Sequence, residues 1–293
     1  MKNEWDEKLK FLLAIRTGWC NTDYLEFLIQ KVWRVDRAVD VLDFGCGFGY
    51  VGLLLLPLLP EGSTYTGIDF SEVLLREAGK IFLDSPYKAK FFQYDLTEYV
   101  PEQNYDIATS QAVLRHIKNP KTILGKMVQS VRPGGWVICM ETDRLLQDSG
   151  RYFSGMDYAE LNQSELYKKL WKHELENGGR DYRTGMKIPQ YMQELGLHDI
   201  QIRINDSVKF ANPYSDDYEE VFNILAEANG WNKTDGEDEK QKIISALVNK
   251  GLDKDEANQY YENEALIRES VKAGFKKDYI MEMSCTPITF GRR

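Results

Sequence analysis

A glycine-rich turn follows the first strand-like segment and carries the clearest chemical pattern in the sequence. It reads Val41-Leu42-Asp43-Phe44-Gly45-Cys46-Gly47-Phe48-Gly49-Tyr50. Glycines at alternate positions let the backbone bend tightly and approach a ligand closely, and doubly wound sheets bind nucleotides at the carboxyl end of the first strand. The pattern predicts a nucleotide-like ligand at Gly45, Gly47 and Gly49, although three alternating glycines alone also serve as a structural turn.

Two features separate this turn from a dinucleotide phosphate loop. The third glycine, Gly49, comes one residue early, and Tyr50 stands where the dinucleotide pattern has glycine. Asp43 ends the strand beside the turn, where its carboxylate would repel a phosphate and attract an ammonium or sulfonium group. The turn therefore favours a cationic ligand.

Two further carboxylates follow the next two predicted strands. Asp69 comes 24 residues after Gly45, a spacing that suits a carboxylate accepting hydrogen bonds from ribose hydroxyls, with Phe70 beside it to pack on a base. Asp95 follows the third strand, where it could accept a hydrogen bond from an adenine amino group. A lone aspartate is more often a helix cap or turn residue, but the three positions after successive strands favour a shared role.

The elements around these residues alternate between strand and helix. Apolar runs of strand length, each followed by a turn and a longer helical pattern, occur at Val39 to Asp43, Thr64 to Asp69, Lys90 to Tyr94, Tyr105 to Ser110 and Trp136 to Glu141. This rhythm predicts a parallel sheet with helices on both faces. A strand from His198 to Ile204 and a last apolar stretch, Tyr279 to Phe290, extend the sheet, and we expect the last one to be antiparallel.

Composition and charge exclude several classes of protein. The chain has 293 residues, 43% hydrophobic and 28% charged, as an ordinary globular protein does. Its net charge of -9 disfavours broad binding to a phosphate backbone. The four cysteines are too widely spaced for a zinc or redox motif, so no metal is expected. Without a secretory signal or an apolar run near the roughly 20 residues of a membrane helix, the sequence predicts a cytoplasmic protein.

These motifs resemble the class I methyltransferases that use S-adenosylmethionine, especially the small-molecule branch related to the quinone-biosynthesis enzymes. The resemblance spans about residues 35 to 145. Asp43 and the glycines correspond to the first motif of that family, Asp69 to its ribose acid, and Asp95-Leu96 to its adenine contact. Arg132-Pro133-Gly134-Gly135-Trp136 matches the turn before the fifth strand.

The resemblance implies a fold, a cofactor and further site residues. The implied fold is a doubly wound α/β sheet of seven strands in the order 3-2-1-4-5-7-6 with the last strand antiparallel, and the implied cofactor is S-adenosylmethionine. The residues after the fourth strand would line its methionine part, and Gln111 is the implied contact. His116 is a candidate general base because its ordinary pKa suits proton removal near neutral pH, although packing of the next helix also explains it.

The sequence predicts three regions around this core. Residues 1–35 would be helical, and residues 36–205 with 276–293 would form the core. The resemblance implies that the N-terminal helices form a lid that carries Tyr24 over the cofactor. Residues 206–275 would form an acidic helical insertion, because residues 206 to 278 hold 17 acidic and 10 basic side chains. The resemblance implies that this insertion covers the substrate. Packing of helices also explains Tyr24 and the aromatic residues of the insertion.

We therefore predict methyl transfer to an oxygen, nitrogen or carbon atom of a small molecule. The alternatives are a nucleic-acid or protein methyltransferase and a non-catalytic protein that binds S-adenosylmethionine. The Asn-Pro-Pro-Tyr motif of enzymes that methylate nucleic-acid or protein amide nitrogens does not occur in the sequence.

Overall fold

A computed structural model describes residues 19–101, 105–157, 161, 163–232, 236–272 and 278–293. A helix predicted over about residues 4 to 15 lies outside this part of the chain. Contacts between residues divide the chain into two units. The first unit contains the described part of Met1–Asp143, together with Arg183–Asp206 and Thr286–Arg293, and the second contains Arg144–Tyr182 and Ser207–Cys285.

The first unit is built on a seven-stranded sheet. In chain order, its strands are β1 Asp40–Phe44, β2 Thr64–Asp69, β3 Lys88–Gln93, β4 Tyr105–Gln111, β5 Val131–Met140, β7 His198–Ile204 and β10 Pro287–Arg292. They are ordered β3-β2-β1-β4-β5-β10-β7, and only β10 runs antiparallel to its neighbours. Since β7 and β10 are the sixth and seventh strands of this sheet, the predicted order and the antiparallel last strand are confirmed.

Helices cover both faces of this sheet. They are α1 Thr22–Phe27 with a π-helical turn at Leu28–Val32, α2 Tyr50–Leu55, α3 Glu72–Leu83, α4 Pro120–Ser130 and α7 Ile188–Glu194. Neighbouring strand residues belong to different clusters of buried side chains: Val41 and Ile138 to one, Leu42 and Val137 to the other. This alternation follows from the two-residue period of a strand, and it explains the nearly continuous apolar runs in the sequence.

The second unit combines a three-stranded antiparallel sheet with helices. Its strands, β6 Arg151–Phe153, β8 Val208–Ala211 and β9 Ile280–Met283, are ordered β6-β9-β8. Its helices are α5 Arg144–Ser149, α6 Ser164–Asn177, α8 Tyr218–Asn229, α9 Glu237–Asn249 and α10 Lys254–Lys272. The last three lie in the segment 206–275, for which the sequence predicts a helical insertion.

The boundaries of the units differ from those of the predicted regions. The segment Arg144–Tyr182, which the sequence pattern assigned to the core, belongs to the second unit because its strand β6 pairs with β9. The predicted single stretch from Tyr279 to Phe290 is two strands, β9 and β10, in two different sheets. Short strands with little alternation gave no signal for this second sheet.

The described residues contain neither a helix long and apolar enough to cross a membrane nor a group of three or more metal-ligating side chains.

A buried group of charges lies inside the second unit. Arg151 donates to Glu282 at 3.2 Å and to Asn229 at 2.6 Å. The Tyr167 hydroxyl favours the ionised forms of both Asp148 and Glu264. Burial raises the pKa of Asp148 to about 6, against the opposing effect of Arg151. The unit therefore contains a carboxyl group that takes up a proton near mildly acidic pH.

We predict that Asp148→Asn stabilises the protein at pH 7.5 and not at pH 4. The folded-state pKa exceeds the unfolded value, so the stabilisation from protonation is complete below about pH 4 and is lost as pH rises through about 6. Removing the charge should gain about 1 to 2 kcal/mol at pH 7.5, allowing for partial exposure. Urea unfolding at both pH values measures this; an equal difference between variant and wild type at both would contradict it.

Candidate functional site

The three glycines of the turn at residues 45–49, here called the glycine turn, all have left-handed backbone conformations. Their φ angles are +74° at Gly45, +55° at Gly47 and +83° at Gly49. The carbonyl oxygen of Ile68 accepts from the N–H groups of Gly45 at 2.8 Å and Cys46 at 3.0 Å. The turn is therefore shaped by its own glycines and tied to the end of the neighbouring strand β2.

The space around each glycine differs. A Cβ atom at Gly45 would lie 2.5 Å from Val113 Cγ2, and one at Gly49 would lie 2.8 Å from Phe82 Cε2. A Cβ at Gly47 would have Leu74 Cδ1 as its nearest neighbour, at 3.9 Å. Two glycines thus allow close packing within the protein, whereas the surface over Gly47 is open and a ligand could approach its backbone.

Asp69 connects the end of β2 to the glycine turn. One carboxylate oxygen accepts from the Gly47 N–H at 2.9 Å, and the other accepts from the Ser71 N–H at 2.8 Å. Ser71 caps α3 by accepting from the Leu74 N–H at 3.2 Å. The predicted ribose acid is therefore fixed beside the glycine turn, as its position at the strand end requires.

Asp43 lies fully buried at the end of β1. Its Oδ2 accepts from the Tyr65 hydroxyl at 2.5 Å. Burial and the nearby Asp43 raise the pKa of Tyr65 well above its ordinary value, so this phenol stays protonated as the donor. The pair places a carboxylate at the strand end that carries the glycine turn. The sequence analysis did not identify Tyr65, because a tyrosine within an apolar strand is usually a buried core residue.

The residues predicted to contact the adenine base lie at the same edge of the sheet, where β2 and β3 end. Phe70 is 56% exposed, and Asp95 is exposed with one oxygen accepting from the N–H and hydroxyl of Thr97. Leu96 is buried. The Tyr94 N–H donates to the Asp69 carbonyl at 2.9 Å, which keeps the chain after β3 next to β2. The structure thus brings Asp95 and Phe70 to the strand ends beside Asp69.

The chain after β4 bends sharply over the glycine turn. Gln111 ends β4 and is buried, and Ala112 follows with a left-handed φ of +56°. Val113 packs on Gly45. His116 accepts at Nε2 from the Arg115 Nε–H at 3.0 Å. This segment, residues 112–116, is here called the β4 loop. It begins directly after Gln111 at the carboxyl end of β4, and it ends at His116.

Glu141 is a further residue of this site that the motifs in the sequence did not identify. It follows β5 and is fully buried, and its Oε1 accepts from the N–H groups of Val113 at 2.8 Å and Leu114 at 2.7 Å. The available signal was a charged residue at the end of the apolar run from Trp136, in a strand that the pattern predicts to be central.

Tyr24 has described contacts on another part of the sheet. Its hydroxyl donates to the Ile204 carbonyl at 3.0 Å, and its ring stacks on Phe27. Ile204 ends β7, the outermost strand, which lies four strands from β1 in the sheet order. These contacts do not bring the Tyr24 hydroxyl to the glycine turn, and its role toward a cofactor stays a prediction.

Comparison with known proteins identifies a family. A family model described as a methyltransferase domain matches residues 1–202. The ubiquinone biosynthesis O-methyltransferase of Hydrogenovibrio crunogenus is 33% identical over 142 residues, covering 48% of this chain and 56% of that protein. The enzyme of the same name from Bordetella avium is 34% identical over 118 residues, covering 40% and 48%. The chain thus spans about half the length of these curated relatives.

Solved structures with low sequence identity share the fold. The [4+2]-cyclase SpnF has a TM-score of 0.52 and 16% identity, covering 99% of this chain and 93% of that one. The phosphoethanolamine N-methyltransferase 2 of Haemonchus contortus, in complex with phosphomonomethylethanolamine and S-adenosylhomocysteine, has a TM-score of 0.52 and 13% identity, covering 98% and 58%. At these identities the likeness concerns the fold alone.

The packing around the glycines predicts different effects of the same substitution. Gly45→Ala should destabilise the protein by about 2 to 4 kcal/mol, because the methyl group collides with Val113 and the left-handed backbone is strained. Gly47→Ala should cost only about 1 kcal/mol, from the backbone alone.

Gly196→Ala is a matched control, since Gly196 also has a positive φ, of +81°, and a Cβ added there would meet no atom within 4 Å. Urea unfolding of the three variants measures the costs. Equal destabilisation by Gly45→Ala and Gly47→Ala would refute the distinction between a packed and an open glycine.

Proposed function

Because the chain belongs to the class I S-adenosylmethionine-dependent methyltransferases, we propose that it transfers the methyl group of that cofactor to an oxygen, nitrogen or carbon nucleophile of a small molecule. The observation that carries this proposal is the open surface over Gly47, whose N–H donates to the Asp69 carboxylate, in the turn that directly follows the buried Asp43. A cofactor that carries a ribose, an adenine and a sulfonium group matches the chemistry of these neighbours.

Each part of the cofactor has residues suited to hold it. The glycine turn would accommodate its amino-acid part over Gly47, with Gly45 and Gly49 shaping the turn and Asp43 supplying a negative charge. Gln111 would face the methionine portion at the end of β4. For the nucleoside, the proposed contacts are Asp69 with the ribose hydroxyls and Asp95, Leu96 and Phe70 with the adenine.

The chemistry requires positioning more than it requires a reactive side chain. The bond between sulfur and the methyl carbon breaks with its electron pair staying on sulfur, while the acceptor supplies the pair for the new bond. Holding the two reactants in line contributes on the order of 7 to 11 kcal/mol in favourable cases. Buried carboxylates that accept hydrogen bonds, such as Asp43 in β1 and Glu141 after β5, limit the reorganisation needed on reaction.

A small-molecule acceptor is supported by the named relatives and by charge. Both curated relatives are O-methyltransferases of ubiquinone biosynthesis, and a net charge of -9 disfavours a nucleic-acid substrate. Incubating the protein with S-adenosylmethionine labelled in the methyl group, and with separate pools of phenols, amines, transfer RNA and protein, tests this. Label should appear in a small-molecule pool; label only in RNA or protein would contradict the proposal.

We predict that Asp69→Ala weakens binding of S-adenosylhomocysteine by roughly 1.5 to 3 kcal/mol, about 10- to 150-fold, by removing charge-assisted hydrogen bonds to the ribose. Isothermal titration calorimetry measures the affinity. Asp84→Ala is the control, because Asp84 is an exposed aspartate beyond the far end of α3. Unchanged affinity in a folded Asp69→Ala protein would remove this residue from the proposed site.

His116 is proposed as the general base for acceptors that must lose a proton. Its Nε2 accepts a hydrogen bond from Arg115, so this nitrogen carries a lone pair and no proton, as a base requires. For the base to act, the guanidinium must give way to the acceptor hydroxyl.

Replacing this histidine by asparagine tests the base role. For single-turnover methyl transfer to a phenol, we expect the rate of His116→Asn to be roughly 10²- to 10⁴-fold lower than that of the wild type. The change of rate with pH near neutrality, which the wild type owes to titration of the base, should be absent in the variant. The affinity for the cofactor should be retained. A variant that transfers methyl at the wild-type rate across this range would show that His116 is structural.

A further inference from the structure

Glu141 fills an anion-binding nest made by the β4 loop. It is fully buried, and its Oε1 accepts from the successive backbone N–H groups of Val113 at 2.8 Å and Leu114 at 2.7 Å. Successive N–H groups that converge in this way form a site for a negative charge. A buried carboxylate is costly unless it is hydrogen-bonded, so its presence here needs these donors.

The groups around Glu141 offset only part of the cost of burying it, since its pKa is still raised. Burial raises its pKa, while the Leu114 N–H, the Arg115 guanidinium and the Val113 N–H act in the opposite direction. Arg115 thus interacts with the carboxylate and also donates to His116. The carboxylate is connected through the loop backbone and through one cation to the proposed base.

The same loop residues form the upper wall of the glycine turn. Val113, whose N–H is bound by Glu141, packs so closely on Gly45 that no Cβ would fit between them. Ala112, the residue before it, has a left-handed φ of +56°, and a non-glycine residue in that conformation needs surrounding contacts to hold it. The bond from Ala112 N–H to the Met140 carbonyl, at 2.9 Å, and the bonds to Glu141 supply those contacts from the end of β5.

We infer that Glu141 is a positioning residue: by filling the nest, it holds Val113 against Gly45 and Arg115 against His116, so one carboxylate sets both the wall of the cofactor site and the orientation of the proposed base. This inference rests on the proposed function. Glu141 acts through the β4 loop and does not itself have to touch the cofactor or the acceptor.

The pair Glu141→Gln and Glu141→Leu separates this role from simple packing. Glutamine keeps an oxygen that accepts from both N–H groups, whereas leucine has a similar size and leaves both donors buried without an acceptor. We expect Glu141→Gln to bind S-adenosylhomocysteine within about threefold of wild type, and Glu141→Leu to bind at least about tenfold more weakly.

Imidazole NMR provides a readout independent of binding. The chain has three histidines, so the signals of His116 can be assigned against His173 and His198. Glu141→Leu should change the nitrogen shifts and titration of His116 and leave those of the other two unchanged, and Glu141→Gln should restore the wild-type pattern. A folded Glu141→Leu protein with wild-type affinity and unchanged His116 signals would overturn the inference.

Two further outcomes are also decisive. If Glu141→Leu does not fold, amide hydrogen exchange is measured in the wild type and in Glu141→Gln instead. Protection of the Val113 and Leu114 amides in both proteins supports the positioning role of Glu141. Exchange of these amides in the wild type at the rate of an unfolded chain overturns it. If wild-type protein does not bind S-adenosylhomocysteine, the proposed function fails, while the effect of Glu141 on His116 is still tested by NMR.

Discussion

The carbonyl oxygen of Ile68 determines where the functional elements of the first unit can lie. It accepts from the N–H groups of both Gly45 and Cys46, so the end of β2 fixes the start of the glycine turn at the end of β1. The next residue, Asp69, accepts from the Gly47 N–H and fixes the middle of the turn. Since these bonds need β1 and β2 to be parallel neighbours in register, the site depends on the sheet order before any ligand is present.

Packing from the opposite side completes this arrangement. Val113 presses on Gly45 while Phe82 and Phe91 close around Gly49, so two of the three glycines are enclosed by protein atoms. Gly47 is left with open space, and the open space is bordered by Asp69 on one side. The glycine turn is therefore closely packed at both ends and open at its middle.

The strands of the first unit could be predicted because their sequences have a clear hydrophobic pattern. The small sheet of the second unit could not, because its strands are defined by pairing between residues far apart in the sequence. The strands predicted at Thr64 to Asp69 and at His198 to Ile204 have the same bounds in the structure, as β2 and β7. Each is an apolar or alternating run that ends at a turn residue. β6, with three residues, and β8, with four, are too short to show a period. Their existence depends on pairing with β9, which lies far along the chain from both.

Within the site, Asp69 and the glycines could be predicted from spacing, whereas Glu141 and Tyr65 act through partners that only the folded chain brings together.

If S-adenosylmethionine lies over Gly47 at the carboxyl ends of β1, β2 and β4, its addition must perturb the backbone there. The most direct measurement is a titration of isotope-labelled protein with the cofactor, followed through the shifts of the backbone amides. We expect saturable shifts at Gly45, Gly47, Asp69, Asp95 and Gln111, with Gly196 and the strand β8 unaffected. Saturable shifts that leave the glycine turn unmoved, or no shifts at millimolar cofactor, would contradict cofactor binding at this turn.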